Sequence, residues 1–424
     1  MALLYASERV PSATGLTVRE ISGAAHLQFV QTAARTGTVS FLQCPSWGRA
    51  KAGWRAESIG WFAGARLAGV ALVLYRRLPR LQRSFAYLPE GPVLDWFGGP
   101  EPAAAAPARW LDPIIAHLRS RGAFSVKIGP RVALRGWSAG TIKQALAAPD
   151  CAVPPHAASL ADLPPDWQDP RAAALAEALA GLGWRGPASR STKGVTQQRG
   201  IAQRGTAQLG TTQPDAAGFG DFQPRLQFRL PLAGRAEEDL LAGMNQQWRR
   251  NIRAARRCGV EVVRGTPDDL PAFHRLYRET AARDRFTPRP LDYFERMFSA
   301  LTAEDADRVR LYLAVRDGVP LAGATMARVG SYAWYSYGAS SDHGREARPS
   351  NAVQWRIVQD CLADRAEAYD LRGIGGTLDP EHHLFGLLRF KLGLGGEAVE
   401  YLGEWDYPIN RALHGAFRAY LARR

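Results

Sequence analysis

Two groups of cationic side chains in the sequence have the spacing of a phosphate-binding surface. The first lies in residues 247–257, where arginines recur at helical spacing, while Trp248, Ile252 and Ala255 recur on another face. Guanidinium groups bind phosphate oxygens bidentately, so this stripe suits an RNA backbone or a nucleotide pyrophosphate. A solvated charged helix face is the alternative. The arginines of the stripe are Arg249, Arg253, Arg256 and Arg257.

The second group follows Arg283, in the segment that ends with Thr287, Pro288, Arg289 and Pro290. The two prolines keep the chain extended, so Arg289 is expected in a stiff loop that enters the next helix. A hydroxyl (Thr287), a cation (Arg289) and a phenol (Tyr293) near a helix N-terminus would suit a phosphate. An Arg–Asp pair that only fixes the loop is the alternative reading.

A third candidate is Lys391, which follows Phe390 and precedes the glycines at 393, 395 and 396. Glycines let the backbone approach a ligand closely, and lysine supplies a compact positive charge. Only five of the 54 basic residues are lysine, so arginine is the usual cation of this chain. A lysine at a suggestive position can therefore mark chemistry that arginine does not supply. The lysines are Lys51, Lys127, Lys143, Lys193 and Lys391. The order of residues is not that of a P-loop.

The composition limits the kind of protein. A net charge of +14 and a pI of about 10.0 favour a polyanionic partner. Cysteines at 44, 151, 258 and 361 are too far apart for a disulfide framework or a zinc cluster, so no metal site is expected. The sequence shows neither a secretory signal nor an apolar run long enough to span a bilayer. We therefore expect a cytoplasmic, multidomain enzyme or binding protein.

Two stretches of the chain carry the same order of predicted elements, namely a hairpin, a strand, a helix and a strand. In the first, strands are predicted at 58–64, 67–76 and 84–88, a helix at 103–121 and a strand at 124–128. In the second, strands at 309–315 and 319–329 flank Asp317-Gly318, and a strand at 332–337, a helix at 350–367 and a strand at 368–374 follow. This order predicts a duplicated α/β unit.

The predicted domains are residues 1–184, joined by a C-terminal return at 403–424, and residues 221–402. Between them lies 185–220, rich in Gly, Gln, Thr and Ser, which we predict to be a flexible loop. The repeated unit resembles the acetyltransferase fold. The Arg-x-x-Gly-x-Gly/Ala loop that binds CoA pyrophosphate in that fold is missing. Its place reads Arg345-Glu346-Ala347-Arg348-Pro349-Ser350-Asn351-Ala352, which has no glycine and in which the proline removes a backbone donor.

Several ordered motifs together resemble the FemABX family of aminoacyl-tRNA-dependent transferases, which extend peptidoglycan precursor peptides. The resemblance runs from about residue 36 to the C-terminus, interrupted by the 185–220 loop. It implies two tandem acetyltransferase-like domains with mixed sheets flanked by helices. The motifs are Phe41-Leu42-Gln43 with Trp47 and Lys51, Tyr87-Leu88-Pro89-Glu90-Gly91-Pro92, Trp248-Arg249-Arg250-Asn251-Ile252-Arg253, Tyr337-Gly338-Ala339-Ser340, Gln354-Trp355, Tyr369-Asp370-Leu371-Arg372-Gly373, and Phe390-Lys391 with Gly395-Gly396 and Val399-Glu400-Tyr401.

The resemblance also implies roles for particular residues. Lys51, Thr287, Arg289 and Tyr293 would hold the phosphates of a nucleotide- or lipid-linked acceptor, and Tyr337 would line its channel. Lys391 would lie where the aminoacyl ester of tRNA arrives. The sequence departs from the family at Gly129, where some relatives have an aspartate, and it has no heptads between 259 and 309 for a long coiled-coil arm.

The leading hypothesis is thus an aminoacyltransferase that moves an amino acid such as Gly, Ala or Ser from aminoacyl-tRNA to an amine on a precursor stem peptide. Aminoacyl-tRNA would be the co-substrate, with no other cofactor and no stable DNA partner. A lipid-linked acceptor would bring the protein to the inner membrane face. The alternatives are the same chemistry on a peptide or nucleoside antibiotic, a CoA-dependent acetyltransferase, and a non-catalytic RNA-binding protein.

Overall fold

The computed structural model describes residues 15–78, 81–98, 107–147, 159–187 and 221–422. The strands in these ranges are β1 (Leu16–Glu20), β2 (Arg55–Ala63), β3 (Arg66–Arg77), β4 (Ser84–Leu88), β5 (Ala123–Ile128), β6 (Ala133–Ser138), β7 (Trp167–Gln168), β8 (Leu226–Pro231), β9 (Glu261–Gly265), β10 (Val309–Arg316), β11 (Val319–Val329), β12 (Tyr332–Ser340), β13 (Ala368–Gly373), β14 (Glu397–Tyr401) and β15 (Trp405–Tyr407). The α-helices are α1 (Gly23–Ala33), α2 (Pro45–Ala50), α3 (Ala108–Ser120), α4 (Ala139–Ala147), α5 (Pro170–Gly181), α6 (Glu237–Gly243), α7 (Gln246–Arg257), α8 (Leu270–Arg283), α9 (Leu291–Thr302), α10 (Pro349–Ala363), α11 (Phe385–Leu394) and α12 (Arg411–Ala422).

The first sheet has the strand order β1-β2-β3-β4-β5-β15. Its strands are antiparallel except for β4 and β5, which pair in parallel. Parallel neighbours need a crossover connection, and α3 supplies it. The central strands are apolar along most of their length, as in β3, where seven consecutive residues are buried. Because successive side chains of a strand point to opposite faces, both faces of the sheet are covered by other parts of the chain at β3.

The second sheet has the strand order β7-β6-β14-β8-β13-β12-β11-β10-β9 and repeats the arrangement of the first. The β10–β11 hairpin turns at Asp317 and Gly318, which have φ values of 53° and 76°, as a two-residue hairpin turn requires. Strands β12 and β13 are parallel, and α10 connects them. The predicted duplicated α/β unit is thus confirmed.

The predicted elements agree with the observed ones except at their ends. The helix predicted to reach residue 367 ends at Ala363, because Asp364 caps it and Arg365 has a φ of 55°. The helix predicted from residue 103 is described from Ala108 onward. The longest helix in the described ranges is α10, with 15 residues, and no long helical arm occurs there. Most of the predicted 185–220 loop lies outside the described residues.

Two segments connect the halves of the chain. Strand β15 pairs with β5, so residues 405–407 return to the first sheet. Conversely, β6 and β7 lie before residue 184 but hydrogen-bond within the second sheet, where β6 pairs with β14. The predicted domain limits stay a prediction, and strand pairing crosses them in both directions.

One apolar core lies between the two sheets and holds the halves in contact. It contains Leu72 and Phe85 of the first sheet, together with Phe273, Phe294 and Trp334 of the second half. The short helix α2 packs against α9 at one side of this core, where the Ser46 backbone N–H donates to Glu304 (2.8 Å). This contact joins the start of α2 to the residues just after α9, while Lys51, after the other end of α2, lies near Tyr293 in the first turn of α9.

Candidate functional site

Lys51 lies at the C-terminal end of α2, with its ammonium group facing aromatic rings. Its Nζ atom is 4.5 Å from the ring centroid of Trp47 and 5.6 Å from that of Tyr293. Burial, followed by the neighbouring charge of Arg289, lowers the pKa of Lys51 to about 7. A ligand anion at this position would offset both effects and favour the charged ammonium.

The loop before α9 brings a second cation to the same place. The Arg289 guanidinium lies 5.3 Å from the Tyr293 ring, and its buried Nε has no hydrogen-bond partner among the described residues. His274 Nε2 lies 3.0 Å from the Arg289 carbonyl oxygen, which fixes the loop backbone. Thr287 is exposed two residues earlier. Two cations from distant parts of the chain thus face one aromatic wall.

The hydroxyl groups of Tyr293 and Tyr337 are 2.7 Å apart and hydrogen-bonded, which joins α9 to β12. Both rings are buried, and burial raises the pKa of each phenol, so both remain neutral at physiological pH. The structure therefore brings together Lys51, Arg289, Tyr293 and Tyr337, with Thr287 on the adjacent loop. We call these five residues the Lys51–Arg289 cluster.

Lys391 is placed differently from the lysine in this cluster. It lies within α11 and is 1% exposed. Its Nζ donates to the backbone oxygens of Leu371 (2.7 Å) and Gly373 (2.7 Å), with Arg372 O at 3.4 Å. Burial lowers the pKa of Lys391 to about 7, although the Asp370 carboxylate acts in the opposite direction. The ammonium group supports the end of β13, and a bond to a substrate oxygen would replace one of these carbonyl contacts.

The ends of β4 and β13 meet in a buried ion network that no sequence-based role anticipated. Arg372 Nη1 donates to Glu90 Oε1 (2.6 Å), and Arg131 Nη2 donates to Asp370 Oδ2 (2.8 Å). Ser40 donates to the other oxygen of Glu90 (2.5 Å). Glu90 and Arg372 both have positive φ values, 48° and 62°. Glu90, Asp370 and Arg372 stood within the motifs that resembled the family, but residues 282 positions apart, as Glu90 and Arg372 are, gave no sign of a pair.

Arg372 connects this network to Lys391. Burial raises the pKa of Tyr337, while its hydrogen bond with Tyr293 and the charges of Arg289 and Arg372 act in the opposite direction. The carbonyl of Arg372, with those of its two neighbours, faces the ammonium group of Lys391. The end of β13 therefore contacts Glu90 through the Arg372 side chain and Lys391 through its backbone carbonyls.

A cavity of about 20 Å³ lies beside the network and is lined by Glu90, Gly129, Arg131 and Glu404. A Cβ added at Gly129 would come within 3.3 Å of Glu404 Cγ, so Glu404 lies directly in front of this glycine. Tyr87 donates to Glu404 Oε1 (2.6 Å). Burial raises the pKa of Glu404 to about 8, while the Lys127 ammonium acts in the opposite direction. The Glu404 carboxyl group therefore holds its proton more strongly than an ordinary glutamate does.

The predicted arginine stripe lies on α7, whose inner face buries Trp248 and Ala255 as expected. Arg253, Arg256 and Arg257 line an open groove of about 670 Å³ between α7 and the start of α10. Arg250 and Arg348 add two further guanidinium groups that the sequence-based reading did not include. We call these residues the α7 groove.

Arg249, the fourth predicted member, is not among the groove residues. Its Nη1 atom donates to the backbone oxygens of Leu241 and Ala242, both at 3.3 Å. The α7 helix also packs on the helix of Lys391, because Trp248 Nε1 donates to Phe390 O (2.8 Å). The outer face of α7 thus lines the cationic groove, and its inner face contacts α11, the helix of Lys391.

The described residues contain neither a metal-binding cluster nor a membrane-spanning helix. No group of three or more His, Cys, Asp or Glu side chains in these ranges could hold a metal ion. None of the helices described is long and apolar enough to cross a bilayer.

Comparisons with known proteins agree with this architecture. A family model described as "FemAB family" matches residues 208–315 and 311–421. The chain is 22% identical to the lipid II:glycine glycyltransferase of Staphylococcus aureus strain MRSA252, over 88% of this chain and 89% of that protein, and it matches the same enzyme of strain USA300 equally well. The crystal structure of FemX aligns with a TM-score of 0.70 at 20% identity, covering 95% of this chain and 99% of that one. The last match supports the fold of two α/β units.

Proposed function

Because the chain belongs to the FemAB family, we propose that it is an aminoacyltransferase that moves an amino acid from aminoacyl-tRNA to an amine on the stem peptide of a peptidoglycan precursor. The observation that supports this function best is the Lys51–Arg289 cluster. Two cations that meet from opposite halves of the chain, on a wall of neutral phenols, suit the two linked phosphates of a lipid- or nucleotide-linked precursor.

The proposed acceptor is anchored by its phosphates at the cluster, and its peptide extends toward the end of β13. Thr287 and the Tyr293–Tyr337 pair supply hydroxyl groups around the phosphates, while Lys51 and Arg289 supply charge. Phosphate binding would restore the charged form of Lys51, because a nearby anion raises a lysine pKa. The relatives named as lipid II:glycine glycyltransferases favour a lipid-linked acceptor and glycine as the transferred residue.

The proposed reaction is attack of a neutral amine on the ester carbonyl of the aminoacyl-tRNA. A C–N bond forms, the C–O bond to the terminal ribose breaks, and the amine proton leaves with the ribose oxygen. The ester is already activated, so alignment and oxyanion stabilisation are the main requirements. Lys391 remains the predicted cation for this step. Its three carbonyl contacts fix its position before substrate arrives.

The tRNA is proposed to bind through the α7 groove, where five arginines and Glu346 leave a strong positive excess. No further cofactor is proposed. The enzyme would act in the cytoplasm, at the inner membrane face when the acceptor is lipid-linked.

The test is transfer of a labelled amino acid by the purified protein. A panel of aminoacyl-tRNAs is mixed with a nucleotide-linked or a lipid-linked precursor, or with acetyl-CoA as the donor control. We expect an amide product that depends on both aminoacyl-tRNA and precursor. Acetyl transfer without aminoacyl transfer would contradict the proposal, and transfer only to a peptide that lacks phosphates would contradict the role of the cluster.

A further inference from the structure

The end of the β3–β4 hairpin at which β3 stops and β4 begins carries cations and an exposed apolar side chain. Leu81 is 44% exposed there, and Arg76, Arg77 and Arg83 are exposed beside it. None of the three arginines forms an ion pair with a carboxylate in the described part of the chain. We call these four residues, with the adjacent Trp54 and Tyr420, the hairpin rim.

The rim is continuous with the Lys51–Arg289 cluster. The Trp54 backbone N–H donates to Lys51 O (3.3 Å), and the Arg76 guanidinium lies 5.8 Å from the Trp54 ring centroid. Arg76 Nη1 also donates to Gly53 O (2.9 Å). The loop after Lys51 is therefore held directly against the hairpin.

The rim extends in the other direction to α12. Arg76 and Phe85 are cross-strand partners, and the Phe85 ring lies 6.0 Å from that of Phe417. Phe417 in turn stacks with Tyr420 at 6.3 Å, and Tyr420 is 48% exposed. An aromatic row thus runs from the core to an exposed tyrosine on the same side of the sheet.

We propose that the hairpin rim is a docking surface for an anionic lipid bilayer. Arginines attract anionic headgroups, tyrosine and tryptophan favour the headgroup region, and an exposed leucine can enter the acyl boundary. The surface would hold the Lys51–Arg289 cluster at the height of lipid phosphates. This inference rests on the proposed function only for the lipid-linked nature of the acceptor.

The test is co-sedimentation of the whole protein with vesicles of phosphatidylglycerol and phosphatidylcholine, compared with phosphatidylcholine alone. We expect binding to the anionic vesicles only. Each arginine near an anionic surface contributes about a fivefold gain in affinity, so Arg77→Ala with Arg83→Ala should weaken binding by about 25-fold. Leu81→Ser should weaken it severalfold, since the leucine no longer enters the bilayer.

Two matched controls lie away from the rim. Arg66→Ala changes an exposed arginine at the other end of β3, and Val319→Ser changes an apolar side chain that is 52% exposed in the second sheet. Both should bind vesicles as the wild type does. Equal loss in controls and rim variants, or wild-type binding that ignores lipid charge, would overturn the proposal.

Transfer to a nucleotide-linked, water-soluble acceptor separates this inference from the proposed function. Rim variants should retain wild-type rates there, because no bilayer is involved. Vesicle binding without transfer by the wild type would contradict the proposed function and leave the docking surface standing. Rim variants that lose tRNA binding while keeping vesicle binding would overturn the docking surface and identify the rim as an RNA contact.

Discussion

Arg372 Nη1 lies 2.6 Å from Oε1 of Glu90, and this ion pair joins the end of β13 to the end of β4 inside the molecule. Both side chains are largely withdrawn from solvent, and Arg131 lies 3.5 Å from the same carboxylate oxygen. The pair therefore fixes one half of the chain relative to the other beside the proposed reaction centre.

Glu90→Gln should lower the free energy of unfolding by about 3–5 kcal/mol, because two buried guanidinium groups lose their shared anion. Burial raises the pKa of Glu90, but Arg372, Arg131 and Ser40 outweigh it and hold the value at about 2. The stabilisation is thus present above the unfolded value of 4.5 and is lost as pH falls toward 2.

Urea denaturation between pH 2.5 and 7 measures this effect. The variant should lose less stability than the wild type as the pH falls, while exposed Glu295→Gln should stay within about 0.5 kcal/mol of the wild type. An unchanged pH dependence in Glu90→Gln would show that the pair contributes no net stability.

Acceptor affinity should fall as pH rises through 7, because Lys51 loses its proton there. If only the charged lysine binds phosphate, affinity should drop about tenfold between pH 6 and pH 8. Lys51→Arg should remove most of this dependence, since arginine stays charged, and Lys51→Ala should bind weakly at every pH. Titration calorimetry with a nucleotide-linked precursor measures it, and a wild-type affinity independent of pH would contradict the assignment.

Lys391→Met should reduce kcat for transfer by about 10²–10³-fold, because the developing oxyanion loses its positive partner. Acceptor affinity should change little. Lys143→Met, in α4, is the control and should retain activity. Single-turnover rates measure the effect alongside thermal unfolding, because loss of the carbonyl contacts also loosens the end of β13. Rates within about threefold of the wild type would remove Lys391 from the mechanism.

Arg253→Ala combined with Arg256→Ala should weaken tRNA binding and make it less dependent on salt. Each lost phosphate contact reduces the slope of log K against log salt by about 1, so a decrease of about 2 is expected. Arg249→Ala is the matched control, because its side chain contacts the carbonyls of Leu241 and Ala242 instead of the groove. Filter binding of tRNA over a series of salt concentrations measures both quantities. A larger loss of tRNA affinity in Arg249→Ala than in the double variant would contradict the assignment of the groove.

Periodicity and turn signals predicted eight of the fifteen described strands, β2 to β5 and β10 to β13, and with them the duplicated unit, because both depend on local residue patterns. The resemblance pointed to the five residues of the Lys51–Arg289 cluster, and their binding role stays a prediction. Local patterns could not show that the Arg249 guanidinium donates to the backbone carbonyls of Leu241 and Ala242. A helical wheel gives the direction of the Cα–Cβ bond, but not the path of a long side chain beyond it.

The Glu90–Arg372 pair was beyond sequence reasoning for a different reason. Its partners lie on the ends of strands in different sheets, and their meeting depends on how the sheets pack. The sequence also showed no sign that Lys391 is buried within α11, because its glycine-rich surroundings indicated only a close approach of the backbone to a ligand. The sequence could not predict the raised pKa of Glu404, because the shift comes from burial, which a single glutamate in a sequence does not reveal.

Strand β15 has a consequence for biosynthesis. It occupies the edge of β5, yet Asp406 follows Lys127 by 279 residues, so a ribosome must make most of the chain before that edge is covered. A bare β edge invites pairing with other chains. The nascent first half should therefore need chaperone protection for the time of synthesis, about 15–60 s at 5–20 residues per second. Deleting residues of β15 should lower the yield of soluble protein more than it lowers the activity of the protein that folds.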